Sequence, residues 1–451
     1  MLRIVAAALA AASSPSFVVQ PCIDESLPSR ARCGTVTVPE DRARPSGRQI
    51  GLNLIVISAA TPLKEPQALF DLEGGPGLAD TKNASFYLTD GAAYAATRDI
   101  VLIDQRGTGG SNPLDCPEFD APDKTLQPMF PVAAVQSCRA RLSGSADLTR
   151  YTTDDAVADL DDVRRALGYA KIDLFALSYG TTLALRYVQR HEDRVRSAVL
   201  LSAVPPSAMP PRHHATAAQA ALDQMIADCA ADASCSSRYP NLGARLKEAL
   251  GKLQISGKVA PSVAMERLRT KLYSPGGARS VPNLIDRLAT GDISVLSSGS
   301  ERAGFNYFDG VYLTITCSES LPWFDETQAR KDAQGTLFGD YRLTRQREAC
   351  ANWPRAHVKD DFFEPVRARV PVLFLSGSRD PVTPGNWAEE AARGLPNSRH
   401  ITITWAGHIV DGLTGLDSCF DAQVVRFLGT ADPMSVDDRC FASMMPPPFK
   451  I

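Results

Sequence analysis

The apolar positions of this chain fall into two textures. Short apolar runs suited to buried strands occupy residues 34–38, 50–58, 68–72, 99–104, 172–177, 195–203, 370–375 and 399–404. Between several of them the apolar residues recur at helical spacing. Residues 153–167 give the clearest case, with Ala156, Leu160, Val163 and Leu167 on one face. A threonine opens that stretch, Asp154 and Asp155 fill its first turn, Arg164 and Arg165 lie near its end, and Gly168 follows, so cap, dipole and period agree. Residues 181–189 pair Leu183 with Tyr187 and Ala184 with Val188 in the same way, and 386–393 read as a further helix. Strands alternating with helices predict a largely parallel sheet covered on both faces, opened by an antiparallel pair, 34–38 with 50–58.

The texture changes at Pro205. Two proline pairs, at 205–206 and 210–211, precede a mostly helical region in which Leu222, Met225, Ile226 and Cys229 share one face and Leu242, Leu246 and Leu250 the next. Strand-helix alternation does not return until about Arg369. The expected organisation is therefore a leader at 1–20, an α/β core in two halves at 21–204 and 366–451, and a helical insertion at 205–365. Such an insertion is expected to act as a lid that restricts access to a site on the core. A separate helical domain is the alternative.

Composition narrows the class. The 451 residues are 44% apolar and 22% charged, ordinary globular usage that excludes a disordered or fibrous chain. A net charge of −3 without a basic cluster removes the electrostatic footprint of a nucleic-acid partner. Met1-Leu2-Arg3 followed by the small apolar residues of 4–12 reads as a secretory leader, too short to span a bilayer, with a buried N-terminal helix as the alternative. No later stretch approaches eighteen uninterrupted apolar residues, so no membrane span is expected, and the leader places the mature protein outside the cytoplasm, secreted or periplasmic. Ten cysteines, an even count with no Cys-x-x-Cys pair, fit disulfides, and pairing of neighbours along the chain is the expected connectivity. No His-x-x-His or His-Glu-x-x-His cluster suggests a metal, and neither glycine stretch, 74–77 or 107–110, has the spacing of a phosphate site. No cofactor is expected. The oligomeric state stays open.

The chemistry centres on Leu177-Ser178-Tyr179-Gly180, a serine pinned between a strand end and a helix start. A sharp turn there exposes the hydroxyl above the sheet, although Ala176 stands where the Gly-x-Ser-x-Gly pattern has its first glycine. A serine hydroxyl needs a base to take its proton and a carboxylate to orient that base. Asp380 and His408 each follow a predicted strand, and Ser178, Asp380, His408 is the chain order of an α/β-hydrolase triad. The other histidines, His191, His213, His214, His357 and His400, are expected in solvated or structural roles. Asp380 also has a plain reading as a turn residue before Pro381. Candidate oxyanion donors are the N–H groups of Tyr179 and Gly75, the latter in the glycine turn after 68–72, with Gly74 close behind. A simple tight turn is the alternative for 73–77.

Five motifs together resemble one group of α/β-hydrolases. Gly-Gly-Pro-Gly at 74–77, Asp-Gln-Arg-Gly-Thr-Gly-Gly-Ser at 104–111, Ser-Tyr-Gly-Thr at 178–181, Gly-Ser-Arg-Asp-Pro-Val-Thr-Pro at 377–384 and Ala-Gly-His at 406–408 are similar to the prolyl iminopeptidase and tripeptidyl aminopeptidase family. The resemblance implies an exopeptidase acting on peptides with a free N-terminus. Glu73 stands where many relatives have histidine. A free N-terminus calls for a carboxylate near the site. Glu319, in Cys317-Ser318-Glu319, resembles a cysteine-x-acid segment of the secreted relatives and is the expected anchor, with Glu73, Asp325 and Glu326 as substitutes. Trp323 and Phe324 could line an apolar pocket or belong to the cap core. An esterase or lipase with the same triad is the competing enzyme reading, and a catalytically dead binding module the third.

Overall fold

The computed structural model describes residues 15–24, 27–119, 126–297 and 307–451. Nine strands form one sheet: β1 Phe17–Gln20, β2 Ala31–Pro39, β3 Gln49–Ile57, β4 Ala68–Leu72, β5 Asp99–Ile103, β6 Ile172–Leu177, β7 Val195–Leu201, β8 Val372–Gly377 and β9 Ser398–Ile403. Their spatial order is β1-β2-β3-β5-β4-β6-β7-β8-β9. The pairs from β1 to β5 are antiparallel, and every pair from β5–β4 to β8–β9 is parallel. β4 and β8 are buried throughout, as strands covered on both faces must be.

The parallel half places the chemistry. Because β4, β6, β8 and β9 run the same way, their carboxyl ends share one sheet edge. That edge receives Glu73 to Gly77 after β4, Ser178 after β6, Asp380 after β8 and His408 after β9. Residues distant in sequence meet there for topological reasons.

Residues 1–14 of the expected leader lie outside the described residues. Phe17–Gln20, which the expected leader also includes, form the edge strand β1 against β2. Between β7 and β8 the described residues carry helices and no strand. This segment packs in two parts. Residues from Ala218 to Leu296 build an apolar core of their own, centred on Leu222, Leu246, Leu268 and Ile285. Val311, Leu313, Ile315, Leu343 and Trp353 instead join the core that covers the sheet. The helix Asp309–Glu319 is buried at nearly every position, which is why it sits between the two.

Five disulfides join neighbours along the chain: Cys22–Cys33, Cys116–Cys138, Cys229–Cys235, Cys317–Cys350 and Cys419–Cys440. Such a set suits an oxidising compartment. Among the described residues no helix is long and apolar enough to cross a membrane.

Candidate active site

Ser178 links β6 to the helix Tyr179–Arg190 with φ 56° and ψ −124°, a conformation that side-chain-bearing residues rarely adopt. The surroundings hold it there. Thr181 Oγ1 donates to the Ser178 carbonyl at 2.5 Å and accepts from Val204 N–H at 2.7 Å, and Thr182 Oγ1 donates to the Val204 carbonyl at 2.7 Å. A Cβ on Gly180 would lie 2.0 Å from the Leu72 carbonyl oxygen, so only glycine lets the helix start against the end of β4. Ala176, fully buried, shows that a methyl group is tolerated one turn of the motif earlier.

His408 and Asp380 meet beneath the cavity. Asp380 Oδ2 lies 3.0 Å from His408 Nδ1, and its Oδ1 accepts from the Val382 and Thr383 N–H groups at 2.8 and 2.9 Å. Thr383 Oγ1 donates to Oδ2 at 2.5 Å. Burial pushes the Asp380 carboxyl up, but the His408 charge, its ring N–H and the Thr383 donors outweigh it and hold the group below the usual carboxylate range. Engaging Nδ1 leaves Nε2 of His408 as the ring nitrogen open to a reacting group. Ser202 Oγ donates to the His408 carbonyl at 2.7 Å, and the Tyr273 ring meets the imidazole edge-on, centroids 5.0 Å apart. Ser178 and His408 line the same cavity, of about 1110 Å³, without a hydrogen bond between them among the described residues. Catalytic contacts of this kind often close only around a substrate.

The glycine turn crosses the mouth of the elbow. A Cβ on Gly74 would come within 2.8 Å of Ser178 Cβ, so the bare backbone is what allows the approach. Glu73 anchors the turn from behind: Oε1 accepts from Asn83 Nδ2 at 2.7 Å, and Oε2 accepts from the Gly74 N–H at 3.2 Å. That engages Gly74. The Gly75 N–H has no acceptor among the described residues, and Tyr179 opens a helix whose first N–H groups lack intrahelical partners. The two candidate oxyanion donors are thus the two left open. Asp80, fully buried below the turn, accepts the Glu73 N–H at 2.6 Å. Burial and the charges of Asp71 and Glu73 push its carboxyl well up, and burial followed by the Glu73 charge raises Asp71 to about 7.

Glu319 lines the cavity and is 4% exposed. Its carboxylate closes on the start of the helix Thr153–Ala166, accepting from Thr153 N–H at 2.7 Å and Thr153 Oγ1 at 2.5 Å, and Thr153 Oγ1 also contacts Tyr179 OH at 2.8 Å. Burial lifts the group to about 8 against the pull of those two bonds. The substitutes Asp325 and Glu326 lie elsewhere: Asp325 caps the helix Glu326–Ala333, and Glu326 pairs with Arg330 and Arg347. Trp323 is 44% exposed against Phe363, and Phe324 packs on the core, so neither lines the cavity.

Asp104 and Arg106 of the second glycine motif are structural. Arg106 is 2% exposed, forks onto Asp159 with two bonds of 2.6 Å and donates to the Glu40 carbonyl, while Asp104 ties Thr81, Asn53 and Gly110 together. His214, expected in a solvated or structural role, is buried in the cavity wall, where it joins Glu266, Arg269, Tyr273 and Arg342. The two arginines and the histidine sit on three different helices, and no sequence spacing links them.

The alpha/beta hydrolase fold family matches residues 72–410. Over 94% of its length the chain is 28% identical to a tripeptidyl aminopeptidase of Streptomyces coelicolor, covering 86% of that protein. Serine protease Hip1 of Mycobacterium tuberculosis is 26% identical over 90% of this chain and 87% of its own. Carboxylesterase B of the same organism is 27% identical over 91% and 86%.

Proposed function

The chain belongs to the alpha/beta hydrolase fold family, and from that premise we propose that it is a secreted or periplasmic serine aminopeptidase, of prolyl or tripeptidyl type, working through an acyl-enzyme on Ser178. The observation that carries the reading is the elbow: Ser178 is held at positive φ in the wall of the cavity that His408 also lines, with Asp380 bonded behind the imidazole. In the first step Ser178 Oγ attacks the scissile carbonyl and His408 Nε2 takes its proton. Asp380 keeps the proton of Nδ1 in place and stabilises the imidazolium. The N–H groups of Gly75 and Tyr179 receive the oxyanion. Collapse breaks the C–N bond, the leaving amine takes the proton from His408, and water then hydrolyses the ester by the same route in reverse.

Glu319 is the anchor for the substrate ammonium in this scheme. Its buried carboxyl ionises against the incoming cation, and the ion pair replaces the solvation that burial removed. The relative named carboxylesterase B supports a second reading, ester hydrolysis by the same triad. Paired chromogenic amides of Pro and Ala-Ala-Pro, each with free and blocked N-termini, separate the two. Wild type should cleave only the free forms, and Glu319→Gln should lose that preference. Cleavage of a short-chain ester but of neither amide selects the ester reading, and an unchanged preference in Glu319→Gln removes Glu319 from the anchor role.

A further inference from the structure

The cap wall of the cavity carries a charged cluster that acyl transfer does not use. Glu266, on the helix Pro261–Lys271, accepts from Arg269 Nη2 at 2.6 Å and from Arg342 Nε at 3.1 Å. Arg269 Nη1 also donates to Tyr273 OH at 2.9 Å, and Arg342 Nη1 to Tyr312 OH at 3.2 Å. Although burial opposes ionisation of Glu266, the two guanidinium groups outweigh it and keep the carboxylate charged. Both guanidinium groups thus share one carboxylate.

His214 completes the wall. It is 8% exposed, lines the same cavity, and neither ring nitrogen has a hydrogen-bond partner among the described residues. Buried polar groups almost always have one, so an imidazole with both nitrogens unsatisfied in a wall that also carries Arg269 and Arg342 leaves a gap suited to an acceptor. Burial, Arg342 and Arg269 in that order hold the ring neutral, which leaves it one N–H to give. Arg342 makes three bonds through a side chain that has five N–H groups.

We propose that His214 and Arg342 form a carboxylate subsite, in which a ligand carboxylate accepts from the imidazole N–H and from the guanidinium. The proposal rests on the aminopeptidase reading and names its substrate class, short peptides that carry a carboxylate into the cap cavity. That carboxylate comes either from an acidic side chain or from the C-terminus of a short peptide. Tyr273 lies between the charged cluster and the triad, taking the Arg269 bond at its hydroxyl and meeting His408 with its ring.

The test compares kcat/KM for Ala-Glu-Ala and Ala-Gln-Ala chromogenic amides with free N-termini, and for pentapeptides ending in a free acid or a carboxamide. Wild type should favour the carboxylate member of one pair by about tenfold, as expected for a hydrogen bond to a charged group, and the pair that discriminates identifies the source. His214→Phe, checked for folding by its melting curve, should bring that ratio down several-fold. Equal rates within both pairs in wild type overturn the subsite without involving any variant. If neither these amides nor the Pro and Ala-Ala-Pro amides are cleaved, the aminopeptidase reading falls, and the subsite is then read from ester hydrolysis: competitive inhibition by glutarate but not glutaramide sustains it, and equal or absent inhibition ends it.

Discussion

Replacing Ser178 by glycine should abolish hydrolysis and stabilise the fold at the same time. The φ of 56° at Ser178 lies where an L side chain costs about 1–3 kcal/mol. Glycine removes that strain, while its extra freedom in the unfolded chain returns about 0.5–1 kcal/mol relative to alanine. The difference leaves Ser178→Gly more stable than Ser178→Ala by up to about 2.5 kcal/mol, the reverse of the usual order of these residues. An unfolding entropy of about 2.1 cal/mol/K per residue over 451 residues amounts to about 1 kcal/mol/K, so the gap in Tm is up to about 2.5 °C. Differential scanning calorimetry of wild type and both variants in parallel resolves it. An alanine variant as stable as the glycine variant, or more so, would mean that the elbow stores no strain, and the backbone argument for a positioned nucleophile would fail.

Asp380→Asn keeps the shape of the turn but removes the acceptor that fixes the His408 proton on Nδ1, and kcat should fall by about 10⁴ with little change in KM. A loss shared equally between the two parameters in steady-state assays would assign Asp380 to substrate binding instead. Asp71 holds its proton up to about 7 in the folded chain but only to the ordinary carboxyl range when unfolded, so its contribution to stability declines as pH rises between those limits. Asp71→Asn should therefore gain little Tm at pH 4 and progressively more towards pH 8, and a gain independent of pH would contradict the sign. Arg106→Met leaves Asp159 buried with the partly exposed Arg42 as its remaining partner, and urea unfolding should show a loss of about 3–5 kcal/mol. A loss below about 1 kcal/mol would show that the second glycine motif is not held by this pair.

The parts of the site that the sequence discloses are those at the carboxyl ends of the parallel strands. Ser178 and Asp380 stand out because an apolar run precedes each one, His408 because a strand ends just before its small-residue loop, and the parallel sheet turns those local signals into spatial convergence. The edge strand Phe17–Gln20 leaves no such signal, since its residues are exposed or half-exposed and pair only with β2. The helix Val132–Leu142 is equally quiet: it buries only Val135, Cys138 and Leu142 among polar and small neighbours. The cap wall is hidden for a different reason. Glu266, Arg269 and Arg342 read as ordinary surface charges in sequence, and only the packing of separate helices buries them around one cavity. His214 follows two proline pairs in a polar stretch, where nothing local distinguishes it from His213. Gly74 and Gly75 look interchangeable in sequence, and it is the Glu73 carboxylate that separates them by engaging the Gly74 N–H.

The most direct test of the account is peptide mapping after reaction with a fluorophosphonate, alongside hydrolysis of a free-N-terminus chromogenic amide by the same sample. The account predicts a single adduct on Ser178, loss of amide hydrolysis in proportion to labelling, and no adduct in Ser178→Ala. An adduct on a different serine, or full amide hydrolysis by fully labelled protein, would contradict it.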